Sequence, residues 1–584
     1  MEWNLDYFFK SEIEFTEEIE KVKKLLEDLL KMNKNISSSL ELEKILTLRW
    51  HIKELSNNIL IYGSLSYYKN VHSEECIKLK KQAEEFNNEV DTTLKKIDTN
   101  ILNLGWDNID SFIHENDNLK PYYFWLSNLF RLRTHQKDEE INQKIKIEKD
   151  NINQKLSVYN TKLRDIKYGN IKIDDEDVCI TSANFSKYIS ARDRQTRKDA
   201  YFAVNNAFDS EKDEFAQILN DLYHSRNNIA LLEDYKSVLE KVLFEENIDS
   251  QIIFKLIEVV NKHLKLSQEY LHIKADLLGI EDSHLYDFGV SLNNNLYIKY
   301  TIEEAKQIVL DALAPLGEKY LKVVKTLFDG HIDTVLDENK HQSITFSWHT
   351  FSFMNFKGAY VDLKNLIHEI GHIVNYYLSK EKVPFMYEDS TIFVGETASL
   401  VNEILLNKYL YEHASKEEEK IFYLSKEIEN YYTTIYKQVM YTEFENKLYE
   451  LSKHGDLTSD ILNRNYEEII KKYYGEKIYY DEVSYVEWTR LGHLYRWSYY
   501  PYKYATGLIM ASATVDSLLH TKTLSTEEYL QFLSLGSSMY SLDLLKSIHI
   551  DLKDSHILES GLNVMEEDIG KLKLILEKQK TKDN

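Results

Sequence analysis

The stretch "NLIHEIGHIVNYY" (365–377) carries His368, Glu369 and His372, two histidines four apart with a carboxylate directly after the first. On a helix, residues i and i+4 share a face, so both imidazoles reach a single ion. Glu369 is rotated by about 100° from His368, which turns it away from the ion and towards a bound water. This layout suits zinc hydrolysis. Neutral imidazoles hold the metal and leave a position open for water, and the carboxylate takes the water's proton as the nucleophile forms. Chance gives about 0.1 such matches in a chain with 19 His and 96 Asp plus Glu among 584 residues, so the surroundings must decide. They favour a site. Leu363, Leu366, Ile367, Ile370, Ile373 and Val374 make an apolar stripe at helical spacing. Gly371 costs ~1 kcal/mol relative to Ala inside a helix and reads as room for a neighbouring element.

A catalytic zinc takes a third protein ligand. "TIFVGETASLVNEILLNKYL" (391–410) has helical apolar spacing and offers Glu396, between apolar neighbours Phe393 and Val394. A buried unpaired carboxylate is costly and a metal-bound one is not. Alone, Glu396 would be a first-turn acid favoured by the helix dipole; beside the histidine pair it is the expected third ligand. Glu403, two turns on, shares roughly the same face and either orients a ligand or is solvated. A third segment, "HLYRWSYYPYKYATG" (493–507), gathers Tyr495, Tyr499, Tyr500, Tyr502 and Tyr504 beside His493. With 42 tyrosines in the chain, a plain aromatic core is the competing reading. The functional one is a phenol and an imidazole that donate hydrogen bonds to an oxyanion.

These residues need a scaffold, and the composition says which kind. With 17 Gly and 4 Pro in 584 residues, long helices are expected. Helical periodicity runs through 20–32, 79–97, 213–232 and 250–271; in the first, Val22, Leu25, Leu26, Leu29 and Leu30 form one stripe. Strand signals are few. "IKIDDEDVCITSANF" (171–185) reads as a hairpin around an acidic turn and places a lobe boundary near 170–195. "SITFSWHTFSFMNF" (343–356) alternates and then changes phase, which predicts a bulge or bend just upstream of the histidine motif. His349 within it either touches substrate or is a hydrogen-bonded structural histidine. A net charge of −24 disfavours nucleic acid and anionic membranes as partners. No apolar run approaches the ~18 residues of a membrane span. "MEWNLDYFFK" lacks a basic region followed by an apolar core, so no secretory signal is read and a cytoplasmic location is expected. Cys76 and Cys179 have no metal-type spacing and read as thiols in a reducing compartment.

Taken together the chain resembles the oligoendopeptidase F group of the M3 (thimet-oligopeptidase-like) metallopeptidases. The resemblance rests on "HEIGH" (368–372), on "IFVGETASL" (392–400) with Glu396 28 residues after His368, and on "YKYATG" (502–507) after His493. "WNLDYFF" at the N-terminus, "ALAPLGEKY" (312–320) and "LGSSMYSLDLLK" (535–546) match more weakly. It implies a mainly α fold, a two-lobed helical body around a deep substrate channel, with a small β-sheet beside the zinc-motif helix. We take residues 1–190 as the N-terminal helical lobe and 191–584 as the catalytic domain. It further implies a cytosolic endopeptidase of short, flexible peptides holding one Zn2+ per chain. His368, His372 and Glu396 would be the zinc ligands and Glu369 the general base. His493 and Tyr504 would stabilise the oxyanion, with Tyr502 and Tyr500 in support on substrate. The chain departs from the family at "KHQSITFSWHTF" (340–351), where a Gly-Ala stretch is usual, at Ser537, which replaces a glycine, and in a His493-to-Tyr504 interval one residue longer than expected.

Two rival readings make distinct predictions. A zinc carboxypeptidase would need to capture a free substrate C-terminus, so amidated peptides would resist it. An inactive peptide-binding scaffold would have no use for Glu369. The oligomeric state is open on sequence grounds.

Overall fold

The expectation of long helices is met: the computed structural model is mainly α, with two small sheets among the described residues. It describes residues 1–584 except 34, 35, 136, 291, 293–297, 343 and 584, so Ser343, the first residue of the 343–356 stretch, lies outside the described residues. The helices used below are, in chain order, α1 (Glu12–Met32), α2 (Ser39–Lys69), α3 (Glu74–Asn103), α4 (Lys212–Leu232), α5 (Tyr360–Lys382), α6 (Ile392–His413), α7 (Lys437–Ser452), α8 (Gly492–Arg496) and α9 (Pro501–Leu519). The strands are β1 (Asn170–Ile173), β2 (Glu176–Cys179), β3 (Ile332–Asp333), β4 (Phe346–Trp348) and β5 (Phe351–Phe353).

The chain divides into two compact units, each assembled from three separate stretches. The first comprises Met1–Gln136, Ile298–Leu406 and Thr521–His549; the second comprises Lys137–Tyr297, Asn407–His520 and Ile550–Asn584. The 170–195 region falls inside the second unit, where β1 and β2 pair as the expected antiparallel hairpin. Its two-residue turn, Asp174–Asp175, has φ of 51° and 67°. Two consecutive left-handed residues twist the turn in the same sense as the strands, and the short Asp side chain tolerates that region better than most.

In the first unit, serine side chains cap the long helices. Ser11, Ser38 and Ser73 each accept from a backbone N–H three residues on, which satisfies a donor the helix start leaves free. The buried stripe of α1 is Phe15, Ile19, Val22, Leu26 and Leu29. Leu30, expected on that stripe, is 42% exposed, because at 100° per residue it has rotated past the edge marked by Leu29. The core continues through α2 and α3 with Leu42, Ile45, Ile52, Ile59, Phe86, Val90 and Ile97.

The three-stranded sheet of this unit has order β3-β5-β4, with β3 parallel and β4 antiparallel to β5. The phase change read as a bulge or bend is a full reversal: Trp348 pairs with Phe351, and His349–Thr350 is the turn between them. His349 takes φ 52° there, a backbone region that costs a bulky residue. Phe351 and Phe353 bury against Trp3, Ile61 and Leu65. Lys340 ties the sheet from within. Its ammonium, fully buried, donates to Asp333 Oδ1 at 2.8 Å and to the carbonyls of Val335 and Met354. One face of the sheet lies beside α5, the helix of the histidine motif.

Candidate metal and catalytic site

The stripe expected on α5 is fully buried: Leu363, Leu366, Ile367, Ile370, Ile373 and Val374 have no exposed surface. The helix start is held by Asp362, whose carboxylate accepts from the N–H groups of Lys357 and Ala359 at 2.9 Å each. Gly371 is where α6 crosses. A Cβ on it would lie 2.5 Å from Ser399 Cα and 2.9 Å from the Ala398 carbonyl oxygen, so only glycine permits this approach. Asn402 fastens the crossing by donating to the Ile367 carbonyl at 3.1 Å, and its Oδ1 accepts from Tyr320 at 2.9 Å. Tyr320 closes the "ALAPLGEKY" stretch, so that weak sequence match has a structural use.

With the helices crossed at Gly371 and Ser399, Glu396 comes to the histidine pair. One ligand atom each from His368, His372 and Glu396 lies within 4.8 Å of the others. The two Nε2 atoms face each other at 3.1 Å, and Glu396 Oε2 is 3.9 Å from His368 Nε2. Each imidazole's other nitrogen is engaged: His368 Nδ1 lies 2.7 Å from Glu403 Oε1, and His372 bonds the Gly395 backbone. With the other nitrogens engaged, both Nε2 atoms converge with a carboxylate oxygen, an arrangement that fits a divalent cation once it displaces any proton held there.

The electrostatics point the same way. Burial opposes charge on His368, but the hydrogen bond and charge of Glu403, helped by Glu369 and Glu396, outweigh it and push the imidazole up to about 9. A field that draws a proton this strongly draws a metal ion. His372 moves oppositely, down to about 3, because of burial and the charge of His368. Burial raises Glu396 and Glu369. For Glu403, burial is overcome by the Lys364 ammonium, 3.0 Å from Oε2, and by His368, so it stays ionised.

Glu369 is buried on the adjoining side of α5, where a hydroxyl of β4, Ser347, bonds its carboxylate. Beside it opens a cavity of ≈ 480 Å³, lined by β4 and its turn, by the motif residues of α5 and by the start of α6. His349 is part of that lining. Its ring stacks on Tyr376 at 4.3 Å and 14°, and burial lowers it to about 3, so it is a neutral imidazole. Tyr376 is anchored by donating to Glu388 at 2.7 Å.

The other expected residues sit in the second unit and form a cluster of their own. The His493 ring is parallel to Tyr500 (5.9 Å between centroids, 7°) and edge-on to Tyr504 (5.7 Å, 70°), and Tyr500 and Tyr504 are 5.3 Å apart. Burial lowers His493, which keeps it neutral. Tyr502 is different. It has no exposed surface and its hydroxyl donates to Glu246 at 3.3 Å. Residue 502 lies about 200° around the helix from both Tyr500 and Tyr504, which are four apart and share a face, so the two tyrosines beside His493 are Tyr500 and Tyr504.

Sequence reasoning gave Glu403 too little weight and passed over Lys364 and Ser347. The first two had a signal: Glu403 is seven residues after Glu396 and Lys364 four before His368, both on the ligand face. Ser347 had none, since its approach depends on how the sheet packs.

The model of peptidase family M3 matches residues 187–564. Oligopeptidase PepF of Bacillus subtilis is 28% identical over 99% of this chain and 88% of its own length. A crystal structure from Chlamydophila abortus superposes with a TM-score of 0.89 at 25% identity, covering 98% of each chain. That of oligoendopeptidase-F from Enterococcus faecium does so with 0.74 at 23% identity, covering 97% of this chain and 99% of its own, and shows a shared fold.

Proposed function

The chain belongs to peptidase family M3, a family of metallopeptidases, and from that premise we propose that it is a cytoplasmic zinc endopeptidase hydrolysing internal bonds of short, unstructured oligopeptides. The observation that carries this reading is the convergence of His368 Nε2, His372 Nε2 and a Glu396 oxygen beside a buried Glu369. Its nitrogen and oxygen donors suit zinc. These three residues would hold the zinc, which when bound would supply an acidified water and polarisation of the scissile carbonyl. Among the described residues no helix is long and apolar enough to cross a membrane.

The chain's own residues divide the remaining work. Glu369 takes the proton of the attacking water on its carboxylate and delivers it to the nitrogen of the leaving amine. Burial raises its proton affinity, which suits a group that must both accept and return a proton. Ser347 holds the carboxylate in place, and Glu403 keeps His368 in the tautomer that presents Nε2. β4 is an edge strand, and its free edge pairs with the backbone of an extended peptide. His493 and Tyr504 donate to the oxyanion, with Tyr500 packed against both.

The test is mass spectrometry of a pool of short peptides after incubation with the protein, beside a chelator-treated sample and the same sample restored with zinc. Internal cuts that vanish with chelator and return with zinc are expected. Removal of single C-terminal residues, or no cleavage in the zinc-restored sample, overturns the reading.

A further inference from the structure

His493 and Tyr504 flank a segment that two buried side chains, Arg226 and Glu445, hold from behind. α8 ends at Arg496 and α9 begins at Pro501, and residues 497–500 link them. Tyr499 in that link has φ 51°, a region an aromatic residue occupies only where its surroundings impose it. The surroundings are α4 and α7. The Tyr499 N–H donates to Glu445 Oε1 at 2.8 Å, and its phenol donates to Asn446 Oδ1 at 3.2 Å. Its ring stacks on Tyr449 (5.2 Å, 17°), which stacks in turn on Tyr223 (4.2 Å, 23°). Tyr449 also shares a hydrogen bond with Ser498 at 2.7 Å.

Arg226 holds the other end. Its guanidinium donates to the Leu494 carbonyl at 3.0 Å and to the Tyr495 carbonyl. A helix end leaves such carbonyls without partners, and α8, the helix bearing His493, receives both partners from one side chain. Arg226 is 8% exposed and Glu445 is fully buried. Burying these groups is costly, and apolar side chains of similar volume would serve stability as well. Their contacts instead go to main-chain atoms of one six-residue span, 494–499, between the two residues assigned to the oxyanion.

We propose that Arg226 and Glu445 are positioning residues that fix the spacing of His493 and Tyr504, an inference that rests on the donor roles proposed above. Neither touches substrate. Arg226 sets the end of α8 and hence the His493 ring; Glu445 holds Tyr499 in its left-handed conformation and hence the entry into α9, where Tyr504 lies in the first turn. A donor displaced by about 1 Å loses most of its value in the transition state while binding of the ground state is little affected.

The experiment is steady-state kinetics on the zinc-loaded enzyme with Glu445→Leu, Glu445→Gln, Tyr504→Phe and the double variant Glu445→Leu/Tyr504→Phe, with Arg226→Lys as an independent probe. Glu445→Leu keeps the volume and removes the acceptor; kcat is expected to fall about a hundredfold with KM nearly unchanged. Glu445→Gln keeps an acceptor for the Tyr499 N–H and is expected to restore most of the turnover. Arg226→Lys, which cannot span two carbonyls, is expected to lower kcat in the same way. In the Tyr504→Phe background, Glu445→Leu is expected to cost far less than in the wild type, because both act through one donor. Multiplying losses in the double variant, or wild-type kcat in both zinc-loaded Glu445→Leu and Arg226→Lys, overturns the positioning role alone. Wild-type kcat in Tyr504→Phe overturns the donor assignment and the positioning role with it. If Glu445→Leu does not fold, Arg226→Lys is read by the same rule in a His493→Gln background, since Arg226 acts through His493.

Discussion

His368 Nδ1 lies 2.7 Å from Glu403 Oε1, and the other oxygen of that carboxylate is 3.0 Å from the Lys364 ammonium. A charge relay of this kind orients the imidazole and makes it a stronger ligand. Replacing Glu403 by Gln should therefore weaken metal binding by about 10–100-fold. Competition against a chelator of known affinity measures this, and unchanged affinity would show that the carboxylate merely fills space.

Glu369→Gln should bind zinc as the parent does, since the side chain is not among the three convergent ligands. Its turnover should fall by several orders of magnitude, because the amide takes no proton from water. Metal analysis and kcat on the same preparation check both halves. Near-parental turnover would remove Glu369 from the role of base.

Metal affinity should rise with pH. With its proton affinity raised to about 9, His368 is protonated below that pH, and an incoming metal ion must displace the proton. Affinity then climbs about tenfold per pH unit until pH reaches about 9 and levels off beyond it. His372, held down to about 3, adds nothing to this slope near neutrality. Titration calorimetry in buffers of different ionisation enthalpy should register about one proton released per zinc at pH 7; no release would contradict the raised His368.

Gly371→Ala sets two effects against each other. Helix propensity favours Ala by ~1 kcal/mol. The new Cβ meets backbone atoms of Ser399 and Ala398 at 2.5–2.9 Å, which overpacking makes costlier, by about 1–3 kcal/mol. The variant should be net destabilised in denaturant titration and should also bind zinc less tightly, since Glu396 shares the displaced helix. A gain in stability would mean that α5 and α6 separate without penalty.

Glu445 makes stability depend on pH in the opposite direction from an ordinary salt-bridged acid. Burial pushes its carboxyl up to about 8, against the Tyr499 N–H and the charge of Arg226. The other groups facing it are the phenols of Tyr223, Tyr449 and Tyr499, all neutral well beyond this range. The folded state keeps a proton that the unfolded chain releases above about pH 4.5. This contribution to stability is whole below that pH and declines as pH rises through about 8. Denaturant midpoints measured from pH 5 to 9 should show a decline that Glu445→Gln flattens; parallel profiles would refute it.

What could be read beforehand follows from the range of the forces involved. The histidine pair, Glu396 and Gly371 were legible because helix geometry converts their spacing directly into a shared face. Glu403 and Lys364 obey the same geometry at seven and four residues, yet charged side chains at such spacings are common on solvated helices, so nothing separated them from the background. The turn at His349 was legible only as a break in alternation. A histidine with φ 52° leaves no local mark, since the conformation is imposed by packing on Tyr376. Among the tyrosines, Tyr500 and Tyr504 are four apart and Tyr502 is between them, so a helix phase alone separates the buried one. Arg226 and Glu445 were out of reach: they are 219 residues apart and act on a third segment.

β4 is three residues long, and its outer edge, unpaired among the described residues, offers main-chain donors and acceptors to whatever lies alongside. A strand that short reads the conformation of its guest more than its identity. Polypeptide that has already satisfied its own amides and carbonyls has nothing to offer such an edge, whatever its sequence. Under the proposed pairing, recognition by main chain would work as a foldedness test, passing segments with spare hydrogen bonds and ignoring those without, and would leave side-chain preference to the cavity lined by His349 and Tyr376.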